Sequence, residues 1–478
     1  MPLRRRRFPL ALMRVLLVLG PLASLPAQSA GTPLTLTAAL READRHAFAN
    51  RVATAGADAD RARARLPLKG ILPSLRVETG VVATTDPIGA FGTTLRQRFV
   101  TPLAFEPARL NNPDAVTNVQ GGLVLEVPLV NGDAWTGWKA ARAAADASDA
   151  NGEWVAVSTR ANVVRAYFGA TVAAEHVGVL EQATRASDAA LRQVSAMVQQ
   201  GLVTKADALQ AGVRADEIAA QLLSARSNLL SARQQLGLLL GRTDASAVDL
   251  PATLPADAAI RALAEHDTLG TGPTVTISDR ADVRAARSGV RAADADRQRA
   301  ATTLLPRVNG FARYDWNDPR ALYSGRKNWT MGVMASWSLF GGGSELADIA
   351  GTRARAVGAR AGADGAAAQG RVEADAARRG ITLALQRLDL ADRAAVQSRE
   401  AHRLLERRYA GGLATVAELL GAEASATAAA LTQSAARFAL IDALASYRRA
   451  IGANPGDLTV LDPTASSSPT SGNPSHDR

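Results

Sequence analysis

Two long stretches without proline, one in each half of the chain, restrict the possible folds most strongly. Proline is absent from residues 129–250 and from residues 320–454. Both stretches are rich in Ala, Leu, Arg, Gln and Glu, which favour helix, whereas proline breaks helix interiors and central strands. The pattern therefore predicts a pair of long helices in each stretch, over residues 133–241 and 344–452.

A short phrase interrupts each stretch, and the two copies are nearly alike. It reads GLVTKAD at residues 201–207 and GLATVAE at residues 412–418, an offset of 211 residues. Glycine suits a helix end with positive φ, and a threonine with an acid three positions later predicts a helix N-cap. Each phrase therefore predicts a tight turn between two antiparallel helices.

The segment ahead of each helical stretch has the alternation of β-strands. Trp329, Met331 and Val333 are apolar, whereas Thr330 and Gly332 between them are polar or small. This period of two predicts β-hairpins over residues 305–341 and, in the first half, 71–130. Each predicted strand is close to the 9 to 11 residues that a tilted strand needs to cross a bilayer.

The halves repeat each other in order and content. Leu72-Pro73 corresponds to Leu305-Pro306, and Gly241 corresponds to Gly452. We therefore divide the chain into a first repeat, 31–243, an irregular equatorial connection, 244–280, and a second repeat, 281–453. Each repeat is predicted to contain a helix, a β-hairpin and a pair of long helices, in that order. The first hairpin is about 23 residues longer than the second, and the excess is predicted as a loop over residues 86–117.

Both ends of the chain have distinct compositions. Four consecutive arginines from Arg4 precede the apolar run 15–25 and small residues near Ala27, which predicts a secretory signal peptide over residues 1–30. Residues 454–478 are rich in Ser, Pro and Thr, which predicts a disordered tail.

Charge and composition exclude several classes of protein. Residues 1–30 hold five arginines and no acid, so they account for half of the net charge of +10. The remaining charges of both signs are interleaved, as on a solvated surface, and nucleic acid is not predicted as a partner. The chain has no cysteine, and its five histidines are scattered outside any known catalytic motif. We therefore predict no catalytic, cofactor or metal site, and no enzyme.

The predicted strands, and not the helices, are the segments that could insert into a membrane. After residue 30 no run of 18 apolar residues occurs, so insertion into a bilayer would require strands. Four strands cannot close a membrane barrel, because the smallest have about eight and lipid tolerates no open edge. The strands must then be completed by other copies of the chain, unless they form an ordinary antiparallel sheet with one solvated face.

Taken together, these motifs resemble the TolC family of outer-membrane factors. The resemblance is carried by LTLTAALREADRHA from Leu34, the strand openings ILPSLRV and LLPRVNG, the turns VPLVNGDAW and WSLFGGGSE, and the paired Gly-Leu-x-Thr phrases. It implies an α plus membrane β-barrel fold, in which a homotrimer builds a 12-stranded barrel in outer-membrane lipid and a long periplasmic α-barrel. It also implies an exit duct for efflux or type I secretion, with an inner-membrane transporter and a periplasmic adaptor as partners.

The resemblance also implies roles for residues of the two phrases. Adaptor docking at the periplasmic tip is expected at Gly201, Leu202, Thr204, Gly412, Leu413 and Thr415. Gate positions are expected at Asp207, Tyr409 and Glu418. The chain departs from the family pattern at Ala414 and Gly421, where an arginine and a second acid occur in relatives.

Simpler roles remain open for the same residues, and so does another class of protein. Asp207 and Glu418 are also suited to cap a helix N-terminus, and Tyr409 and Leu413 to ordinary packing. The alternative class is an exported periplasmic coiled-coil adaptor or structural protein without a pore, which would need the helices but not the two hairpins.

Overall fold

The computed structural model describes residues 33–244, 248–268, 276–321 and 325–462. The predicted signal peptide, residues 1–30, and residues 463–478 of the predicted tail lie outside these ranges. The described part contains ten α-helices and four β-strands. The helices are α1 Leu36–His46, α2 Phe48–Arg63, α3 Pro87–Gln97, α4 Pro107–Asn111, α5 Gly132–Gln199, α6 Lys205–Leu239, α7 Asp257–Thr268, α8 Ala281–Thr302, α9 Ser344–Ala410 and α10 Val416–Ile451. The strands are β1 Ser74–Thr84, β2 Val116–Val130, β3 Arg307–Asp318 and β4 Arg326–Ser336.

Long helical hairpins dominate the molecule, as the proline-free stretches predict. Helices α5 and α9 have 68 and 67 residues, which at 1.5 Å per residue corresponds to about 100 Å each. Helix α5 packs against α6 and α9 against α10, and the two hairpins meet along α5 and α10. The four long helices therefore lie side by side in the order α6, α5, α10, α9.

The main core lies part-way along these helices. Val163, Tyr167 and Phe168 of α5 pack against Leu440 and Leu444 of α10, and all five are fully buried. Helices α1 and α7 contribute further apolar side chains to the same core. Elsewhere the long helices bury mainly alanine, which allows their backbones to approach closely over a long distance.

A single antiparallel sheet in the order β1-β2-β3-β4 continues from one end of the helices. Because paired residues of neighbouring strands share a face, the register divides the sheet into two chemically different faces. The apolar face carries Leu75, Val77, Val81, Leu123, Leu125, Tyr314, Trp329, Met331 and Val333. The polar face carries Arg76, Glu78, Asn118, Glu126, Arg313, Asp315, Asn317 and Thr330.

Ion pairs join side chains of the polar face, both within β3 and between strands. Arg76 contacts Glu126 at 2.6 Å, and Arg313 contacts Asp315 at 2.6 Å and Glu78 at 3.4 Å. Among the described residues, no strand pairs with the outer edge of β1 or of β4. The sheet thus has one face suited to lipid, one suited to water, and two open edges.

No helix in the described ranges is both long and apolar enough to cross a membrane.

Three segments differ from the sequence-based expectation. Residues 86–117, predicted as a loop, contain α3, a 3₁₀ helix over Pro102–Phe105 and α4. The connection 244–280, predicted as irregular, contains α7. The tail predicted from residue 454 instead begins with a 3₁₀ helix, Pro455–Leu461, whose Leu458 and Leu461 are buried in the main core.

Candidate functional site at the helical tips

The two Gly-Leu-x-Thr phrases form turns of the same geometry at the end of the helices remote from the sheet. Gly201 and Gly412 both have φ of 72°, a value that residues with a Cβ adopt only with strain. The next amide closes the turn in each case. Leu202 N–H donates to the Met197 carbonyl at 2.9 Å, and Leu413 N–H donates to the Arg408 carbonyl at 2.8 Å. Both helix ends therefore have the hydrogen bond of a Schellman motif.

A complete capping box follows each turn, as predicted. Thr204 Oγ1 accepts from the Asp207 amide at 3.3 Å, while the Asp207 carboxylate accepts from the Thr204 amide at 2.9 Å. Thr415 and Glu418 repeat this arrangement at 3.2 Å and 2.7 Å. These bonds satisfy amides that the first helical turn would otherwise leave without partners.

The capping boxes also fix the charge of the two acids. Hydrogen bonds from the Thr204 hydroxyl and amide hold the pKa of Asp207 below its ordinary value. Hydrogen bonds from the Thr415 amide and hydroxyl lower the pKa of Glu418, and the positive charge of Arg408 adds to the effect. Both acids are therefore ionised at neutral pH and present negative charge at the tip.

A small apolar cluster joins the two turns within one chain. Val194, Ala211, Val416 and Leu420 are its buried members, and the Tyr409 ring packs against them. The Tyr409 hydroxyl donates to Met197 Sδ at 3.4 Å across the two hairpins. Burial raises the pKa of Tyr409, and the negative charge of Asp207 raises it further. The structure thus brings two of the predicted gate residues, Tyr409 and Asp207, into one environment.

The two leucines of the turns point into solvent. Leu202 is 65% exposed and Leu413 is 72% exposed. Within this chain neither side chain contributes to the tip cluster. The turns therefore end in an apolar rim that the single chain leaves open.

Ala414 itself carries no charge, but Arg408 of α9 places a positive charge nearby. The Arg408 guanidinium donates to the Leu413 carbonyl at 3.0 Å, and its charge acts on Glu418. A cation therefore lies beside the predicted gate acid although the expected arginine position holds alanine.

The sequence reasoning did not anticipate Glu423, two turns up α10 from the cap. Its side chain is only 8% exposed, and Oε1 has no hydrogen-bond partner among the described residues. Burial raises the pKa of Glu423, while the positive charges of His402 and Arg214 act in the opposite direction. A comparison of the two repeats could have found Glu423, because the offset of 211 residues places a glycine, Gly212, at the equivalent position of the first repeat.

In the described ranges, no group of three or more His, Asp or Glu side chains is arranged to hold a metal ion.

The sheet has one apolar and one polar face, and it is carried on helices of about 100 Å that end in an acidic tip. These features are typical of elongated membrane ducts. Residues 51–242 and 273–453 match the family model described as outer membrane efflux protein. The chain belongs to this family. It is an outer-membrane efflux channel that extends into the periplasm, and not an enzyme. The assignment excludes the alternative of an adaptor without a pore.

Solved structures show the same fold at low sequence identity. The CmeC outer membrane channel of Campylobacter jejuni is 16% identical with a TM-score of 0.74, covering 94% of each chain. A membrane protein from Pseudomonas aeruginosa is 20% identical with a TM-score of 0.73, covering 87% of this chain and 93% of its own. The outer membrane protein VceC of Vibrio cholerae is 19% identical with a TM-score of 0.71, covering 88% and 96%. A search of curated proteins found no significant match.

Proposed function

We propose that three copies of the chain form one tunnel, with a 12-stranded barrel in outer-membrane lipid and a helical barrel in the periplasm. The sheet carries this proposal, because its two faces are chemically distinct and its β1 and β4 edges are both open. Open edges are not tolerated in lipid, and three sheets of four strands joined edge to edge remove them. The polar face then lines the water-filled interior.

The rim of the helical tips is the proposed docking surface for a periplasmic adaptor and an inner-membrane transporter. Gly201 and Gly412 set the turns, and Thr204 and Thr415 start the following helices. This construction leaves Leu202 and Leu413 exposed at fixed positions. Six such turns would surround the axis of a trimer.

The proposed gate consists of Asp207, Tyr409 and Glu418. Asp207 and Glu418 are negatively charged at neutral pH, since their pKa values are lowered by the capping hydrogen bonds. Tyr409 lies between the two hairpins and contacts Met197. Three copies of this arrangement would place a ring of negative charge at the narrow end of the tunnel, which favours the passage of cations.

The test is single-channel recording of the purified trimer in planar bilayers with Glu418→Ala. We expect the preference for cations over anions to fall in this variant. Glu265→Ala, at an exposed acid of α7 remote from the tip, is the control and should retain the wild-type preference. An unchanged ion preference in Glu418→Ala would contradict the acidic constriction, and a protein that never conducts would contradict the tunnel itself.

A further inference from the structure

The insertion between β1 and β2 is a folded unit at the end of the sheet remote from the helices. Helix α3 begins at Pro87, and the Asp86 carboxylate accepts a hydrogen bond from the Gly89 amide at 2.6 Å. Phe91 of α3 packs edge-on against Phe105 at 5.6 Å between ring centroids. The insertion therefore has its own small core and a defined helix.

A chain of three buried amide side chains fastens α3 to the sheet. Gln97 Nε2 donates to Asn118 Oδ1 at 2.9 Å, and Asn118 Nδ2 donates to Asn317 Oδ1 at 2.8 Å. Gln97 also donates to the Thr117 carbonyl at 2.9 Å. These bonds connect the last turn of α3 to both β2 and β3.

The face on which α3 is seated follows from the register. Asn317 pairs with Gln120, two residues from Asn118, so Asn118 and Asn317 share one face. That face is the polar one, which also carries Arg313 and Asp315. Helix α3 therefore lies on the water-facing side of the sheet and not on the side suited to lipid.

A second attachment holds the end of α3 against β4. Arg98 ends the helix in the left-handed region with φ of 56°, alone among the non-glycine residues that the structure describes. Its guanidinium donates to the Lys327 carbonyl at 3.3 Å. A strained residue persists only where its surroundings fix it, and here the contact with β4 provides the restraint.

The two stripes of α3 have opposite environments. Ala90 and Gln97, seven residues apart, are buried toward the rest of the insertion and the strands. Ile88 and Leu95, also seven residues apart, are 84% and 49% exposed. At 100° per residue Ile88 lies about 160° around the helix from Ala90. The exposed apolar stripe therefore points away from the polar face of the sheet, into the solvent on that side.

We infer that α3 forms an outer constriction of the channel, lined by Ile88 and Leu95 of each chain, which limits the size and hydration of the cargo that leaves. The inference rests on the proposed trimer, in which the polar faces surround one axis and three copies of α3 stand within the pore. Apolar side chains at a narrow point disfavour hydrated ions and small polar solutes. Apolar or amphiphilic cargo passes this point more readily.

Ile88→Cys provides the first test, because the chain has no cysteine of its own. A charged, membrane-impermeant methanethiosulfonate reagent is added to the outer side during single-channel recording in planar bilayers. We expect the conductance of Ile88→Cys to fall at least two-fold on labelling. The control is Val81→Cys, on the apolar face of β1 and also exposed, whose conductance should not change.

A variant without α3 provides the second test. Residues 86–115 are replaced by a copy of the connection 319–325 from the second hairpin, and the conductance of the trimer should rise at least two-fold. The double variant Gln97→Ala with Asn118→Ala releases α3 without shortening the chain, and its conductance should also rise. The control is Asn111→Ala, which is exposed in the same insertion and should keep the wild-type conductance. Wild-type conductance in a trimeric shortened channel, or in labelled Ile88→Cys, would overturn the constriction. A wild-type protein that neither trimerises nor conducts would instead overturn the proposed tunnel.

Discussion

Glu423 lies at a position where the two repeats differ in chemistry. Its counterpart in the first repeat, Gly212, has no side chain, whereas Glu423 places a carboxyl group between α6 and α9. The buried oxygen without a partner is costly, because a buried polar group without a hydrogen bond loses its hydration without compensation. The second hairpin therefore contains a local weakness close to the tip that the first hairpin lacks.

Glu423→Gln should stabilise the tip at neutral pH. Burial raises the pKa of Glu423, so the folded protein binds this proton more tightly than the unfolded chain does. Stability from this group is fully present below the ordinary glutamate pKa and is lost as the pH rises through the raised value. Glutamine remains neutral throughout, so we expect a gain in stability at neutral pH and a flatter pH dependence.

Hydrogen exchange of α10 amides, followed from weakly acidic to neutral pH, measures this effect. Asp216→Asn, at an exposed acid of α6, is the matched control and should exchange as the wild type does. Equal protection of Glu423→Gln and wild type at every pH would show that the buried carboxyl carries no energetic penalty.

At the scale of single residues, the sequence could predict those features that depend only on residues nearby in the sequence. The Thr204 and Thr415 caps need only an acid three positions later, and both capping boxes are present. The amide chain from Gln97 to Asn317 joins residues far apart in sequence, so no local spacing marks it. Glu423 likewise becomes unusual only when α6 and α9 enclose it.

At the scale of elements, helix α7 works as a clamp on the long helices. The Arg448 guanidinium of α10 makes two hydrogen bonds to the Asp267 carboxylate of α7, at 2.9 and 3.1 Å. The Asp267 side chain is fully buried. Arg261 of α7 also contacts Asp392 of α9 at 2.7 Å. The connection between the repeats therefore bridges both helices of the second hairpin.

Asp267→Ala should destabilise this region strongly. Removing one partner leaves the Arg448 charge buried without compensation, which costs about 3 to 5 kcal/mol. Glu181→Ala breaks a more exposed pair with Arg226, at 2.8 Å between α5 and α6, and should cost less than about 1 kcal/mol. Thermal unfolding followed by circular dichroism compares the two. Similar unfolding midpoints for both variants would mean that the buried Asp267–Arg448 pair does not hold α7 against α10.

The long helices and strands could be predicted because their signals extend over many residues, whereas two short elements were missed. Absence of proline marked α5 and α9, and alternation marked β3 and β4. Helix α3 was missed although Asp86 before Pro87 is a helix start signal, since the surrounding prolines and asparagines favoured a loop. The 3₁₀ helix at Pro455 was missed because its order comes from burial of Leu458 in the main core.

At the scale of the whole molecule, the open edges of the sheet determine how the chain assembles. Strands β1 and β4 are separated by β2 and β3. Three strand spacings place these edges about 14 Å apart within one chain. A disulfide requires Cα atoms within about 7 Å, so a cysteine in β1 and one in β4 cannot join inside a single sheet. Any disulfide between them must connect two chains.

This geometry allows a direct test of a closed ring in a chain without native cysteine. Val77→Cys is combined in turn with Met331→Cys, Val333→Cys or Ala335→Cys, all on the apolar face. After mild oxidation in outer membranes, at least one pair should give a covalent trimer on a non-reducing gel, because each β1 edge meets the β4 edge of the next chain. Val77→Cys alone lacks a thiol on the facing β4 edge and should give no covalent trimer. Products that stop at two chains in every pair would contradict a three-fold closed barrel, since a ring of three identical edges has no reason to close at two.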